Sequence, residues 1–234
     1  MIRGMLPPAA DPYAEELTVM DTAIREAGAR ALQLARDGFE TMTKADHSPV
    51  TTADLEVNRI LHTALLTAFP EDGWLSEETA DMPDRATKRR VWILDPIDGT
   101  KYFMRGIPTY AISLALAVGQ ELCLGVVFNP ATDEYFLAVR GAGAWLNGEP
   151  IRVKQAVSEP PHVLVNPPAF DKGRFSYLDG RVRCQPLGSI AYTLAWLAAG
   201  RADGTINKAP LHEWDIAAGA LLVEEAGGLL TDGN

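Results

Sequence analysis

Two stretches near the start of the chain carry apolar residues at the spacing of an amphipathic helix. The first, rich in Ala, Glu and Leu, predicts a helix over residues 12–37, and Gly38 is suited to end it. The second predicts a helix that follows residues 48–54 and closes before Pro70. Its apolar stripe consists of Leu55, Ile60, Leu61, Leu65 and Leu66.

After residue 90 the pattern changes to short apolar runs separated by turn residues. These runs predict strands at residues 91–94, 110–118, 122–128 and 135–139, and their short connections favour antiparallel neighbours. Farther along, the pattern predicts a helix over 189–199, a strand near 204–207 and a last helix over 216–226. This combination indicates an α+β fold with helices layered against sheets, and we expect two lobes, 1–150 and 151–234.

Charge and composition narrow the classes of partner. The 31 acidic and 21 basic residues leave a formal net charge of -10, which disfavours nucleic acid and an anionic membrane as partners. The longest mainly aliphatic run, residues 111–118, is too short to cross a bilayer. Two cysteines do not indicate a disulfide framework, so the cytoplasm is the expected location. An acidic protein can still bind anionic substrates through divalent cations, which directs attention to its carboxylates.

The most informative segment follows the apolar run at 91–94 and reads Asp95-Pro96-Ile97-Asp98-Gly99-Thr100. Pro96 stiffens the backbone between the two acids and Gly99 permits a sharp turn, so both carboxylates can point to one place beyond the strand end. Oxygen ligands at this spacing suit a hard cation such as Mg²⁺. If a helical turn begins at Gly99 and Thr100, their unpaired backbone N–H groups make a pocket for a phosphate oxygen.

A plainer interpretation of this segment makes Asp98-Gly99 an ordinary turn and Asp95 a solvated strand end. A calcium loop of the EF-hand type is disfavoured, because the alternating oxygen ligands and the closing Glu are missing.

Two further stretches offer acids that could reach the same cation. Glu77 and Glu78 follow the apolar pair Trp74-Leu75, although adjacent Glu residues are more often a solvated surface. Asp215 lies at the expected start of the last helix, where an Asp is also an excellent N-cap. The small residues that follow it would let this helix pack closely against the strand that carries the metal ligands. These residues are Ala217, Ala218 and Gly219.

Taken together, the three stretches resemble the inositol monophosphatase family of magnesium-dependent, lithium-sensitive phosphatases. The resemblance covers nearly the whole chain and is strongest over residues 92–100, with the Trp214-Asp215 stretch as a second match. The Glu77-Glu78 stretch matches less well, because Ser76 stands where family members commonly carry Gly. The resemblance implies a layered α/β/α/β/α sandwich in which the phosphate of a small phosphorylated metabolite lies over the metals, at the junction of two lobes.

The resemblance also implies the roles of individual residues. Glu77, Asp95 and the backbone carbonyl of Ile97 would bind one Mg²⁺, and Asp95, Asp98 and Asp215 would bind another. Glu77 would share a third, weaker ion that positions the attacking water. Thr100 and Asp54 correspond to the pair that helps to take a proton from that water. Lys44 resembles the lysine of a mobile loop that attracts phosphate.

Two departures from the family bear on the substrate. Lys208 stands seven residues before Asp215, where members specific for inositol phosphates tend to carry an acid. A cation there favours a second anionic group, as in 3'-phosphoadenosine 5'-phosphate, and a bisphosphate nucleotidase is therefore an alternative. Sugar bisphosphates and histidinol phosphate also remain open. Family members usually continue a few tens of residues farther, so the final strand and part of the substrate wall are expected to be absent or differently built.

A hypothesis of a different class is a metal-dependent protein that binds a phosphorylated ligand without cleaving it. The complete set of acids argues against it, because a lapsed enzyme could tolerate the loss of one. A homodimer is expected from the family resemblance alone.

Overall fold

The structure is a computed structural model, and it describes residues 12–45, 47–80, 85 and 87–231. Its α-helices are Ala14–Asp37 (α1), Thr52–Ala68 (α2), Thr100–Phe103 (α3), Pro167–Asp171 (α4), Ile190–Ala198 (α5) and Glu213–Glu225 (α6). Its first strands are Thr41–Thr43 (β1), Pro49–Thr51 (β2), Gly73–Ser76 (β3), Arg90–Asp98 (β4), Ala111–Val118 (β5) and Glu121–Asn129 (β6). The others are Glu134–Val139 (β7), Gly143–Leu146 (β8), Glu149–Ile151 (β9), His162–Val165 (β10), Arg183–Pro186 (β11) and Gly204–Ile206 (β12).

The two N-terminal helices lie where the apolar periodicity predicts them. Gly38 caps α1 at a φ of 106°, a backbone conformation that favours glycine, and its N–H donates to the carbonyl of Leu34. Helix α2 begins at a capping box formed by Thr51, its N-cap, and Asp54. The backbone N–H and the hydroxyl of Thr51 both donate to Asp54 Oδ2. This cap buries Asp54 at the start of the helix.

The large sheet has seven strands in the order β3-β4-β5-β6-β7-β8-β9. β3 is parallel to β4, and every later neighbour pair is antiparallel. The antiparallel pairing predicted from the short connections is therefore confirmed. A second sheet has three parallel strands in the order β11-β10-β12, and β1 and β2 form a separate antiparallel pair.

The alternation of large and small side chains along β5 explains how helices cover both faces of the large sheet. Its Ile112, Leu114 and Leu116 belong to the core formed with α1 and α2. Ala111 and Ala115 point to the opposite face, whose core includes residues of α5 and α6. Because this second face carries small side chains, α6 can approach it closely. The result is a layered arrangement of helices and sheets, which confirms the predicted α+β fold.

The boundary predicted near residue 150 falls inside β9, and residues 152–161 connect the large sheet to the second sheet. Helix α6 comes from the C-terminal part of the chain, yet it packs on strands β4 to β7 of the large sheet. The division into two lobes stays a prediction. Among the described residues, no helix is both long enough and apolar enough to span a membrane.

Candidate active site

An irregularity in the pairing of β4 with β5 brings two acids to the end of β4. Asp95 is paired with Ser113 and Asp98 with Ala111, so the register shifts between the two acids. Pro96 lies in this shift, and it has no N–H to donate to the ladder. The N–H of Ile97 donates instead to Asp95 Oδ1 over 3.1 Å. The bulge thus lets acids three residues apart face one place, as the sequence predicts, but the acids lie within β4, which continues to Asp98 rather than ending at residue 94.

Helix α6 brings a third acid to the same place. One carboxylate oxygen from each of Asp95, Asp98 and Asp215 lies within 4.8 Å of the other two. Asp95 is only 2% exposed, and the other two acids are partly buried. Within the described part of the chain, none of the three forms an ion pair with a basic side chain. Such a group of oxygen donors with unneutralised charge fits a hard divalent cation.

Asp215 is the third residue of α6, which corrects the prediction that it stands at the start of a helix over 216–226. The helix begins at Glu213 with His212 as its N-cap, and the N–H of His212 donates to Asp215 Oδ2 over 2.6 Å. The helix begins farther toward the N-terminus because Asp215 accepts from the N–H of His212 and the Asp215 N–H donates to the His212 carbonyl over 3.2 Å. The cap occupies one carboxylate oxygen and leaves the other for a ligand.

Ser189 is a residue of the site that sequence reasoning missed. Its hydroxyl and the backbone N–H of Ala191 both donate to Asp98 Oδ2, each over 2.6 Å. Ser189 is fully buried and is also the N-cap of α5, where its hydroxyl accepts from the N–H of Tyr192. Ser before an apolar helix indicates a cap, but nothing in the sequence links it to an acid 91 residues away.

The predicted residues Glu77 and Lys44 meet next to one another. Glu77 follows β3, and its N–H donates to the carbonyl of Leu94 over 3.2 Å. The Lys44 ammonium lies 2.7 Å from Glu77 and 2.6 Å from Glu78. Burial lowers the pKa of Lys44, but the hydrogen bonds and charges of both acids outweigh it and raise the pKa above its ordinary value. Glu78, which the sequence offers only as a further acid beside Glu77, is thus a partner of Lys44.

Thr100 and Asp54 form the contact that the resemblance implies. The Thr100 hydroxyl lies 3.0 Å from Asp54 Oδ1 and 3.0 Å from the carbonyl oxygen of Ile97. The second Asp54 oxygen accepts from the N–H and hydroxyl of Thr51. Asp54 therefore accepts three hydrogen bonds from two residues: Thr51 holds one of its oxygens and Thr100 faces the other.

Gly99 turns the chain from β4 into the short helix α3. Its φ is 92°, and a Cβ at this position would lie 3.2 Å from the carbonyl oxygen of Thr109. Both observations favour glycine at position 99. Thr100 then begins a helix, which meets the condition set for a phosphate pocket, and the first N–H groups of a helix have no partner within it.

The electrostatics of the cluster favour a bound cation. Burial raises the pKa of Asp95 well above its ordinary value, and the charges of Glu77, Asp98 and Asp215 raise it further. The pKa of Asp98 is raised to about 7, mainly by burial, even though the bonds from Ser189 and Ala191 lower it. Burial also raises the pKa values of Asp215 and Asp54. A divalent cation bound by the cluster would compensate for the burial of its carboxylates as well as for their mutual repulsion.

Asp98 and Asp215 line a cleft of about 310 Å³. Its lining includes four predicted site residues besides Asp98, and two neighbours of the motif for which the sequence predicts no role. The predicted ones are Glu77, Gly99, Thr100 and Asp215, and the two neighbours are Lys101 and Tyr102. Both neighbours follow Thr100 directly, and this adjacency is the signal that could have found them.

Lys208 is placed differently from the other predicted residues. Its ammonium donates to the carbonyl of Arg174 over 3.0 Å and lies over the rings of Tyr177 and Phe175, at 4.4 and 5.1 Å from their centres. Among the described residues that line the cleft, its neighbours Asn207 and Ala209 appear and Lys208 does not. The contact of Lys208 with substrate stays a prediction.

Comparisons with known proteins agree with this geometry. The family model described as "Inositol monophosphatase family" matches residues 14–234. The inositol-1-monophosphatase of Rhizobium meliloti (strain 1021) is 38% identical, in an alignment that covers 92% of this chain and 85% of the relative. The histidinol-phosphatase of Chlorobaculum parvum (strain DSM 263 / NCIMB 8327) is 35% identical over 84% of this chain and 77% of the relative.

Solved structures share the fold. The chain superimposes on an inositol monophosphatase of Thermotoga maritima with a TM-score of 0.86 and 33% identity, over 93% of this chain and 85% of the other. The alternative of a binding protein without activity is disfavoured, because the relatives named above are phosphatases. The chain belongs to the inositol monophosphatase family, and it is a hydrolase of phosphomonoesters.

Proposed function

We propose that the protein hydrolyses a small phosphomonoester with Mg²⁺ as its cofactor, at two or three ions per active site. The observation that carries the proposal is the convergence of Asp95, Asp98 and Asp215 beside the hydrogen bond between Thr100 and Asp54. The first group supplies oxygen ligands and the second supplies a path for a proton. Phosphate-ester hydrolysis at such a site needs both the metal ligands and the path for the proton of the attacking water.

The ligand assignment follows the resemblance, and the closeness of Asp95, Asp98 and Asp215 supports the part of it that these three acids make. Glu77, Asp95 and the carbonyl of Ile97 would hold one ion, and Asp95, Asp98 and Asp215 would hold another, with Glu77 shared by a third. The Ile97 carbonyl oxygen has two lone pairs, so the Thr100 hydroxyl 3.0 Å away leaves at least one of them for a ligand. When bound, Mg²⁺ supplies positive charge that stabilises the phosphoryl oxygens and the leaving alkoxide.

Thr100 and Asp54 act on the proton of the attacking water. The Thr100 hydroxyl donates toward Asp54 Oδ1, so its lone pairs are available to accept a hydrogen bond from water. As the water attacks phosphorus, its proton passes to the Thr100 oxygen while the Thr100 proton moves to Asp54. The bonds from Thr51 keep the Asp54 carboxylate oriented for this transfer.

The phosphate would lie against the first N–H groups of α3, at Gly99 and Thr100. Lys44 lies close enough to Glu77 to neutralise part of its charge. It would also attract the phosphate or close over it. Lys208 would contact the substrate only after leaving the Arg174 carbonyl.

Inositol 1-phosphate and histidinol phosphate are the two leading candidate substrates, the first from the family membership and the second from the relative from C. parvum. A bisphosphate nucleotidase depends on Lys208, whose ammonium is already bonded elsewhere, so we rank it lower. Inhibition by Li⁺, a homodimer and a cytoplasmic location stay predictions from the resemblance and the composition.

A phosphate-release assay tests the proposal. The purified protein is given inositol, sugar, nucleotide and histidinol phosphates, with Mg²⁺ or with a chelator. We expect release from at least one ester with Mg²⁺ alone, and its loss in Asp95→Asn, which removes the acid shared by two ions. Asp37→Asn, an exposed change at the end of α1, is the control and should keep its activity. Binding of these esters with no release from any of them would overturn the proposal.

A further inference from the structure

The part of the cleft away from the acids is built from apolar side chains. Beyond Asp98, Asp215 and their neighbours, its lining includes Tyr102, Pro167, Pro168, Ile190, Pro210 and Leu211. If the phosphate lies at the acids, the alcohol part of the ester contacts this wall. The chemistry of the wall therefore selects the leaving group.

The wall offers few partners to hydroxyl groups: beyond the acids and Thr100, its polar side chains are Ser48, Lys101, Asn166 and Asn207. Its amide side chains are Asn166 and Asn207, and the Asn207 amide is bonded on both sides to Ala209, over 3.0 and 3.4 Å. The Asn166 oxygen accepts from the N–H of Lys208 over 3.3 Å, which leaves mainly its NH₂ group for a substrate. A polyol placed here would bury several hydroxyls without partners, and each would weaken binding.

Tyr102 is held in a fixed position on this wall. A Cβ on Gly188 would lie 2.5 Å from its ring, so the ring rests against bare backbone at a position where any larger residue would displace it. The Tyr102 N–H donates to the carbonyl of Gly99 over 2.8 Å, which ties the residue to the turn after β4. A ring fixed in this way can stack on a ligand without first losing side-chain freedom.

We infer that Tyr102 is a specificity-determining residue that stacks on a flat, unsaturated ring in the leaving group. The enzyme accordingly prefers esters whose alcohol carries such a ring over esters of polyols. The inference rests on the proposed function, because it assumes that the phosphate lies at the acids. It goes further by naming the chemical class of the leaving group and the residue that recognises it.

The test compares histidinol phosphate, which carries an imidazole ring, with inositol 1-phosphate, a polyol ester. The wild-type kcat/KM is expected to be higher for histidinol phosphate. Tyr102→Leu keeps an apolar side chain but removes the ring, and the ratio of the two kcat/KM values should fall about 3- to 10-fold, as expected for the loss of an aromatic pair. Tyr102→Phe keeps the ring and should leave the ratio within about 2-fold of wild type.

A second measurement applies if the turnover of the wild type or of a variant is too low for kcat/KM values to be compared. Calorimetry with each ester gives its Kd in the presence of Ca²⁺ in place of Mg²⁺, and thermal unfolding checks that each variant is folded. Tyr102→Leu should weaken the binding of histidinol phosphate and not that of inositol 1-phosphate. Equal effects on both esters, or a wild-type preference for the polyol ester, would overturn the inference. Absence of phosphate release from every ester contradicts the proposed function instead, and the binding ratio still decides the role of Tyr102.

Discussion

The hydroxyl of Ser189 donates a 2.6 Å hydrogen bond to Asp98. Asp98 ends β4 in the large sheet, and Ser189 is the N-cap of α5, a helix that packs against both α6 and the second sheet. A proposed metal ligand on one sheet is thus oriented by a helix from the other half of the chain. The affinity for the metal should therefore depend on Ser189 as well as on the acids.

Replacing Ser189 with Ala is expected to weaken Mg²⁺ binding about 10-fold, because a residue that orients a metal ligand typically has an effect of this size. The Ala191 N–H keeps one bond to Asp98 and limits the loss. Titration calorimetry with Mg²⁺ gives the affinity, and thermal unfolding of the metal-free protein separates it from the lost helix cap. Ser189→Thr retains the hydroxyl and is the control. Wild-type affinity in a folded Ser189→Ala variant would show that the hydroxyl does not orient Asp98.

Thr100→Val should lower kcat about 100-fold or more, since it removes the hydroxyl that passes a proton toward Asp54 while conserving the shape of the side chain. Thr100→Ser restores the hydroxyl and should recover most of the rate. Combining Thr100→Val with Asp54→Asn should lower kcat little further, because the two residues act as one unit. Steady-state phosphate release gives kcat for the wild type and the three variants. A Thr100→Val enzyme with near-normal kcat removes this pair from the mechanism.

The close approach of α6 to β6 predicts a stability effect at Gly125. A Cβ at this position would lie 2.9 Å from the carbonyl oxygen of Ala218, which is helix backbone and cannot rotate away. Gly125→Ala is expected to lower the free energy of unfolding by about 1–3 kcal/mol, as overpacking does elsewhere. Gly204→Ala has open space around the added carbon and should change it little. Urea unfolding of both variants measures the difference, and equal stabilities would contradict the tight packing.

Glu134 gives the stability of the fold a dependence on pH. Burial raises its pKa, but hydrogen bonds from Arg201, Tyr192 and Thr132 outweigh burial and lower the pKa below its ordinary value of 4.5. A pKa that is lower in the folded state adds stability above the unfolded pKa, and this stability is lost as the pH falls through the folded pKa. Glu134→Gln should therefore destabilise the protein at neutral pH and less so near pH about 3.5.

Urea unfolding at both pH values checks this expectation. The matched control is Glu224→Gln, which changes an exposed acid paired with Arg140 and should have little effect at either pH. A Glu134→Gln effect that stays the same at acidic pH would contradict the assignment of the lowered pKa to Glu134.

The sequence predicts the features whose causes are local. Apolar periodicity gives α1 and α2 to within two or three residues, and the motif at 95–100 gives the turn from β4 into α3. The start of α6 is misplaced by three residues because His212, its N-cap, is not among the usual capping residues. Strands β8 to β11 are short, and most of them are partly exposed, so no clear alternation marks them.

The same distinction between local and tertiary causes applies to the residues of the candidate site. Asp95, Asp98 and Asp215 are recognisable only in combination, because a turn or a helix cap explains each of them alone, whereas the three stretches together resemble the family. Ser189 and Glu78 are not, since their roles arise from contacts with Asp98 and Lys44 that only the tertiary fold creates. The wall around Tyr102 likewise depends on Gly188, which lies 86 residues away in the sequence and carries no local sign of this contact.

The most direct test of the account is the location of bound metal. Anomalous diffraction from crystals soaked in Mn²⁺, a stand-in for Mg²⁺, should show at least one peak within about 2.5 Å of carboxylate oxygens of Asp95, Asp98 and Asp215. Crystals of Asp95→Asn should lose that peak. Wild-type crystals with no metal among these three acids, from a preparation that releases phosphate, would contradict the central claim.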